Sequence, residues 1–314
     1  MVTFAEIQNA AQRIRSYIHR TPVMTCASVN QRAGMEVYAK CENFQRGGSF
    51  KLRGAANFVL SIPDADIGRG VVAFSSGNHA QAVAIAAAIR GVQATLVMPS
   101  DAPQSKREAT EARGGQIVLY DRLREDREAI GKRIAQQTGA TLIPPFDHPW
   151  IIAGQGTAAL ELLEEVPDLD ALAVCLGGGG LLSGCAIAAK ALQPSIRIFG
   201  VEPAVANDWA LSLAAGSIVE IPPPPTIADG LRATKPGQLT FPIVRQFVEE
   251  VLLVSEAEIL AAMKFLLLRA KILVEPSGAV AAAAVLHRKL PPGVRKVGVI
   301  LSGGNVDWEL LQAA

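Results

Sequence analysis

The sequence predicts an α/β protein of two domains, with mostly parallel sheets covered on both faces by helices. Three observations predict it. The 314 residues exceed what one core usually organises, since single cores stop growing near ~250–300 residues. Short apolar or β-branched runs alternate with Ala-rich stretches of helical character, a βαβα rhythm. Most of the runs end in Gly, Ser or an acidic residue just before a helix-like segment.

The expected strands are 36–41 (EVYAKC), 71–74 (VVAF), 94–98 (ATLVM), 116–120 (QIVLY), 171–176 (ALAVCL), 196–201 (IRIFGV) and 297–301 (VGVIL). Near the N-terminus Phe4, Ile7, Ile14 and Ile18 recur as on one face of a helix. Turn residues at 61–69 and 144–149 bracket a self-contained set of βα units. They predict a small inserted domain over 61–147 and a large discontinuous domain from 1–60 and 148–314. Pro222–Pro225 reads as a stiff, extended loop.

Half the residues are apolar and the net charge is +1, a balance that argues against disorder and against a nucleic-acid partner. It suits a small neutral or zwitterionic ligand. The N-terminus lacks the basic start and apolar core of an export signal. The most apolar windows, 79–89 and 278–286, are shorter than the about 20 residues that a membrane span needs. Cys26, Cys41, Cys175 and Cys185 form no C-x-x-C pair, so reduced, mostly buried thiols and a cytoplasmic protein are expected.

Four motifs stand where chemistry is usually placed, at strand ends that lead into helices. In Ser49-Phe50-Lys51-Leu52-Arg53-Gly54-Ala55 a lysine stands between apolar neighbours. It is either a solvated amine or one whose lowered pKa suits Schiff-base chemistry. Ser75-Ser76-Gly77-Asn78-His79 follows VVAF; such residues cap a helix or leave its first N–H groups for a carboxylate. Gly177, Gly178, Gly179 and Gly180 join ALAVCL to an apolar helix, which suits backbone N–H groups converging on a phosphate. In Leu301-Ser302-Gly303-Gly304-Asn305 the serine either bonds a ring nitrogen or merely belongs to a glycine turn.

Nucleotide folds are a rival reading. The glycine loop has no G-K-[ST] and no G-x-G-x-x-G spacing. Glu202 nevertheless ends the next strand where a ribose-binding acid would stand, which keeps a nicotinamide-dependent oxidoreductase as a distant alternative.

Together SFKLRGA, SSGNHAQA, AGQGTAALEL, GGGGLLSG and LSGGN resemble, in order, the motifs of the fold-type-II pyridoxal-phosphate enzymes. Within that family the chain is similar to threonine/serine dehydratases and serine racemases, from about Ile18 to Asp307. The resemblance implies a tryptophan synthase β-like fold, a homodimer and pyridoxal 5′-phosphate held by Lys51 as a Schiff base. It implies the glycine loop on the phosphate, Asn78 at the 3′-oxygen and Ser302 at the pyridine nitrogen. The backbone of Ser75, Ser76, Gly77, Asn78 and His79 would take the substrate carboxylate.

The implied activity is loss of water and then ammonia from a β-hydroxy amino acid such as threonine, serine, phenylserine or hydroxyaspartate, giving a 2-oxo acid. Lys51 would remove the α-proton. Ser76 matches the acid/base of racemases on the opposite face, so racemisation is the alternative; Phe146, the aromatic before Asp147, favours the dehydratases. Glu202, the Ala206 carbonyl and Asp208 resemble the site of a divalent cation, Mg²⁺ or Ca²⁺, in the racemase-like branch. Gly47 replaces a threonine common in the family, so a roomier pocket is expected. Arg127 matches an arginine lining the racemase cleft.

Overall fold

The computed structural model describes the chain apart from Ser76, Pro103, Arg122 and Ala314, and apart from the side chains of Ser105, Lys106 and Ala313. Its strands are β1 (Val23–Met24), β2 (Glu36–Cys41), β3 (Val71–Phe74), β4 (Ala94–Pro99), β5 (Gly115–Tyr120), β6 (Thr141–Leu142), β7 (Ala171–Cys175), β8 (Arg197–Pro203), β9 (Glu250–Val254) and β10 (Lys296–Leu301). They form a six-stranded sheet, β1-β2-β10-β7-β8-β9, and a four-stranded sheet, β5-β4-β3-β6. Every pairing is parallel except that of β1 with β2. The fold is α/β with mostly parallel sheets, as the rhythm predicts. Strands β3 and β7 are buried along their whole length, which fits sheets covered on both faces.

Three strands escape the sequence reading. β1 and β6 have two residues each, too few for any periodicity to register. β9 is an edge strand with only two of its five residues buried, and its EVLLV run alternates weakly. At the N-terminus the helix Phe4–Ile14 buries Ile7, Ala10 and Ile14 and is capped by Thr3, whose hydroxyl accepts from the Glu6 N–H. Residues 222–225 carry no regular structure, consistent with a plain loop.

The six-stranded sheet builds one core with the helices Pro149–Glu165, Gly180–Leu192 and Pro276–Leu286. A second core unites the four-stranded sheet with the helix Asn78–Arg90 and with Leu52, Ala55, Phe58 and Val59 of the helix Lys51–Ser61. The latter helix, here called the lysine helix, also crosses Pro149–Glu165 at very short range. A Cβ on Gly154 would lie 2.5 Å from the Arg53 carbonyl oxygen, so only glycine permits the crossing.

A buried ionic cluster fixes that crossing. Arg53 donates from Nε and Nη2 to Glu42 (2.7 and 2.8 Å) and from Nη1 and Nη2 to Glu161 (both 2.8 Å). Lys40, on β2, pairs with Glu161 at 2.7 Å and donates to the Thr21 carbonyl. Two cations thus face two carboxylates, and Arg53, Lys40 and Glu42 are wholly buried. Removing one member strands the others in a medium that solvates them poorly. Arg53→Met is therefore expected to lower unfolding stability by about 3–5 kcal/mol, read from denaturant titration of the cofactor-free protein.

Candidate active site

Between the C-terminal ends of the two sheets lies a cleft of about 570 Å³, lined among others by Lys51, Ser75, Asn78, the glycine loop and Ser302. Topology explains the meeting. β10 and β7 are adjacent parallel strands, so Ser302 and the glycine loop emerge side by side. β3 delivers Ser75 to Asn78 from the other sheet. Lys51 joins them because its approach strand is pinned to the end of β10: the Phe50 N–H donates to the Ser302 carbonyl at 3.0 Å, and Ser49 bridges to Gly303.

Lys51 opens its helix and donates from Nζ to the Pro145 carbonyl at 2.8 Å. Desolvation in the cleft lowers its pKa from 10.5 to about 8, although Cys175 and Glu275 pull the other way. A substantial neutral fraction near neutral pH is what a nucleophilic amine requires. Of the two local readings of this lysine, the structure gives the desolvated one.

Two helices present uncapped N-termini to the cleft. Gly77, before Asn78–Arg90, and Gly179, before Gly180–Leu192, supply no side-chain cap. In the glycine loop the carbonyls are turned away: Trp209 Nε1 donates to Gly177 O, and Thr240 Oγ1 donates to Gly178 O at 2.8 Å. Across a trans peptide the following N–H points opposite, which aims the Gly178 and Gly179 N–H groups into the cleft. The backbone passes so close to Phe146 that a Cβ on Gly178 would lie 2.2 Å from its ring. Gly179 itself has φ of +93°, a conformation that glycine adopts without strain.

Around the opposite wall, Asn78 Nδ2 donates to Glu275 Oε1 at 2.6 Å and its Oδ1 accepts from Asn305 at 2.9 Å. Ser302 is buried and donates to the Ser277 carbonyl at 3.3 Å. His79 is buried with Nε2 at 3.1 Å from the Ile143 carbonyl, so Nε2 carries the proton. Its pKa falls to about 3 through burial and then the charge of Lys51, which leaves a neutral ring committed to the backbone. Ser75 Oγ accepts from the Gly77 N–H at 3.3 Å and braces the turn. Ser76 lies outside the described residues.

The cleft also contains residues that sequence reasoning passed over: Cys175, Glu275, Ser277, Gln155 and Arg232. Cys175 ends β7 and its thiol is pushed up to about 11, chiefly by burial. Only the proline at the start of Pro276–Leu286 hinted that Glu275 stands at a helix entrance. All four cysteines are free; Cys41, Cys175 and Cys185 are buried and Cys26 is partly exposed. Gly47 corrects one expectation. It does not line the cleft, and a Cβ there would point at Ile85 Cδ1, 2.8 Å away, so the missing side chain does not enlarge the pocket.

Glu202, Ala206 and Asp208 are all buried and do not line the cleft, and Glu202 lies near enough to Asp208 to feel its charge. Glu202 accepts from the Ala210 N–H at 3.0 Å and the Trp209 N–H at 3.4 Å. Burial, more than any neighbour, raises the Glu202 pKa to about 8 and that of Asp208 to about 7. Asp208 Oδ2 is buried with no hydrogen-bond partner. Among the described residues no cluster of three or more His, Cys, Asp or Glu could hold a metal, so any cation here would rest on two carboxylates, a carbonyl and water.

The model of the family described as pyridoxal-phosphate dependent enzymes matches residues 14–303. The chain belongs to that family. This pyridoxal-phosphate enzyme is 52% identical to L-threo-3-hydroxyaspartate ammonia-lyase of Saccharomyces cerevisiae, over 98% of this chain and 94% of the relative. It is 48% identical to serine racemase of Schizosaccharomyces pombe, over 98% and 95%. A solved structure of maize serine racemase superposes with a TM-score of 0.96 at 47% identity, covering 99% of this chain and 96% of that one. Family membership sets aside the nicotinamide reading that Glu202 suggested.

The residues present fit the family's cofactor. An amine with depressed pKa lines the same cleft as a glycine loop at an uncapped helix start, the chemistry that a reactive carbonyl and a phosphate require. The rate at which cofactor-free protein captures pyridoxal phosphate is expected to rise with pH and level off above about 8, because the neutral amine attacks. Stopped-flow absorbance over pH 6–10 checks this; a rise still unlevelled near 10.5, the ordinary lysine value, contradicts it.

Proposed function

We propose that this enzyme is an ammonia-lyase that eliminates water and then ammonia from a β-hydroxy amino acid, with 3-hydroxyaspartate its best substrate. The observation that carries the substrate class is Arg127. It lines the cleft, its guanidinium carbon lies 5.9 Å from the Phe74 ring centroid, and among the described residues no carboxylate pairs with it. A cation facing an amino-acid site without a partner suits a second carboxylate on the ligand. The yeast relative's name accords with this reading.

When bound, pyridoxal phosphate supplies the electron sink that makes an α-proton removable. The chain's own residues do the rest. The Gly178 and Gly179 N–H groups hold the phosphate. The open N-terminus after Gly77 takes the substrate's α-carboxylate, and Arg127 takes the distal one. Lys51 Nζ would hold the cofactor's carbonyl carbon and is the base that would take the α-proton; its lowered pKa keeps it partly neutral. Asn78 and Ser302 would hold the cofactor's ring, and Phe146, packed on Gly178, would shield the glycine loop from water. Hydrolysis after loss of the β-hydroxyl gives a 2-oxo acid and ammonia.

Racemisation remains a second reading, favoured by the 48% identity to a serine racemase. It needs an acid/base opposite Lys51, the place assigned to Ser76. Mg²⁺ or Ca²⁺ at Glu202, Ala206 and Asp208 would satisfy the stranded Asp208 oxygen and, through Trp209, steady the Gly177 carbonyl. Two lobes meeting at the cleft, a homodimer and a cytoplasmic setting complete the proposal; free thiols suit the reducing compartment. No helix among the described residues is long and apolar enough to cross a membrane.

One panel tests the proposal: serine, threonine, phenylserine and the hydroxyaspartate isomers, each with and without EDTA, assayed for 2-oxo acid, ammonia and inverted amino acid. A hydroxyaspartate isomer is expected to lead in kcat/KM, and EDTA to lower turnover. Arg127→Ala is expected to cut kcat/KM for hydroxyaspartate by about ten- to hundredfold, the worth of one charged hydrogen bond, and to spare serine. Inverted amino acid without 2-oxo acid would establish the racemase instead, and a uniform Arg127→Ala loss would refute the distal-carboxylate role.

A further inference from the structure

Asn305 stands in the loop after β10 and packs against Asn78 of the cleft wall. Its Nδ2 donates to the Gly47 carbonyl at 2.8 Å and to Asn78 Oδ1 at 2.9 Å. A backbone carbonyl only accepts, so the Gly47 contact fixes which end of the Asn305 amide faces inward. That in turn fixes Asn78. Its oxygen must meet the Asn305 NH₂, and its own Nδ2 turns to Glu275 Oε1 at 2.6 Å. Flipping Asn78 would set NH₂ against NH₂ and oxygen against carboxylate, two repulsions in place of two bonds. Gly48 makes the arrangement sterically possible: its φ is +76°, and a Cβ there would lie 2.2 Å from Asn305 Oδ1.

We propose that Asn305 is a positioning residue that locks the Asn78 amide with its NH₂ end toward the cofactor's ring oxygen, holding that oxygen as the anion. The proposal rests on the reading that Asn78 faces this oxygen. An N–H donor stabilises the charged form, whereas an amide oxygen in its place favours the protonated hydroxyl. The two forms of the lysine-bound cofactor absorb differently, in the visible for the anion and in the near ultraviolet for the hydroxyl. The amide's orientation is therefore readable without turnover.

Asn305→Asp keeps the shape, removes both donors and sets a carboxylate against the Asn78 oxygen, which offsets the hold of Glu275 on the Asn78 NH₂ and frees the amide to turn. In holoenzyme of unchanged cofactor content, the ratio of visible to near-ultraviolet absorbance is expected to fall about tenfold, one charged hydrogen bond's worth. Asn305→Ala, which leaves Glu275 as the remaining hold on Asn78, gives a smaller shift and carries the test if the aspartate variant fails to fold or to load. Asn78→Ala alone is expected to shift the spectrum, and adding Asn305→Asp to it to change nothing further, since Asn305 acts through Asn78.

A wild-type spectrum in a loaded Asn305 variant overturns the proposal, as does an additive shift in the double variant. A wild-type spectrum in Asn78→Ala overturns it through its premise. Failure of the ammonia-lyase reading would appear in the products and leave these spectra as expected.

Discussion

The Arg53 guanidinium, gripped by Glu42 on one side and Glu161 on the other, decides where the lysine helix lies. That helix belongs to two structures at once. Its apolar face completes the core around the four-stranded sheet, while Arg53, two residues after Lys51, is held by groups belonging to the other core. Because all of these charges are compensated only by one another, the helix has no alternative seat of similar energy. The lysine amine is thereby delivered to the one place where the ends of β3, β7 and β10 meet.

What gathers there is electrostatically consistent. Two helix N-termini lack side-chain caps, an amine is desolvated enough to be partly neutral, and a histidine is held neutral by burial. The uncapped ends favour anions and the desolvated lysine favours a carbonyl. Each feature costs the apo protein some stability, since open N–H groups and a buried amine both forgo solvation. A ligand with phosphate, aldehyde and ring-nitrogen functions would relieve all of these costs together. The same reasoning applies to Asp208, whose partnerless buried oxygen is costly unless a cation reaches it.

Much of the fold was legible because parallel sheets buried on both faces leave continuous apolar runs, and β3, β7 and most of β10 are such runs. β1, β6 and β9 were not, being two-residue or edge strands whose pairing comes from tertiary contact. Lys51, Asn78, the glycine loop and Ser302 were legible only as an ordered set; singly, each motif had an ordinary structural reading. Glu275 and Cys175 could not be read, because nothing in their immediate sequence marks which side chain faces the cleft. Gly47 misled for a related reason: proximity to Lys51 along the chain does not give the direction of a Cβ, and here that direction is Ile85. Asn305 was seen as part of a motif, but its grip on Asn78 joins positions 227 residues apart.

Lys51 as the cofactor's covalent anchor is the claim from which the rest of the chemistry follows. Borohydride reduction of the holoenzyme, followed by proteolysis and mass mapping, measures it directly. The account predicts a reduced pyridoxyl-phosphate adduct on the peptide containing Lys51, with loss of the visible absorbance. An adduct on any other lysine, or no adduct from protein that has bound the cofactor, would contradict it.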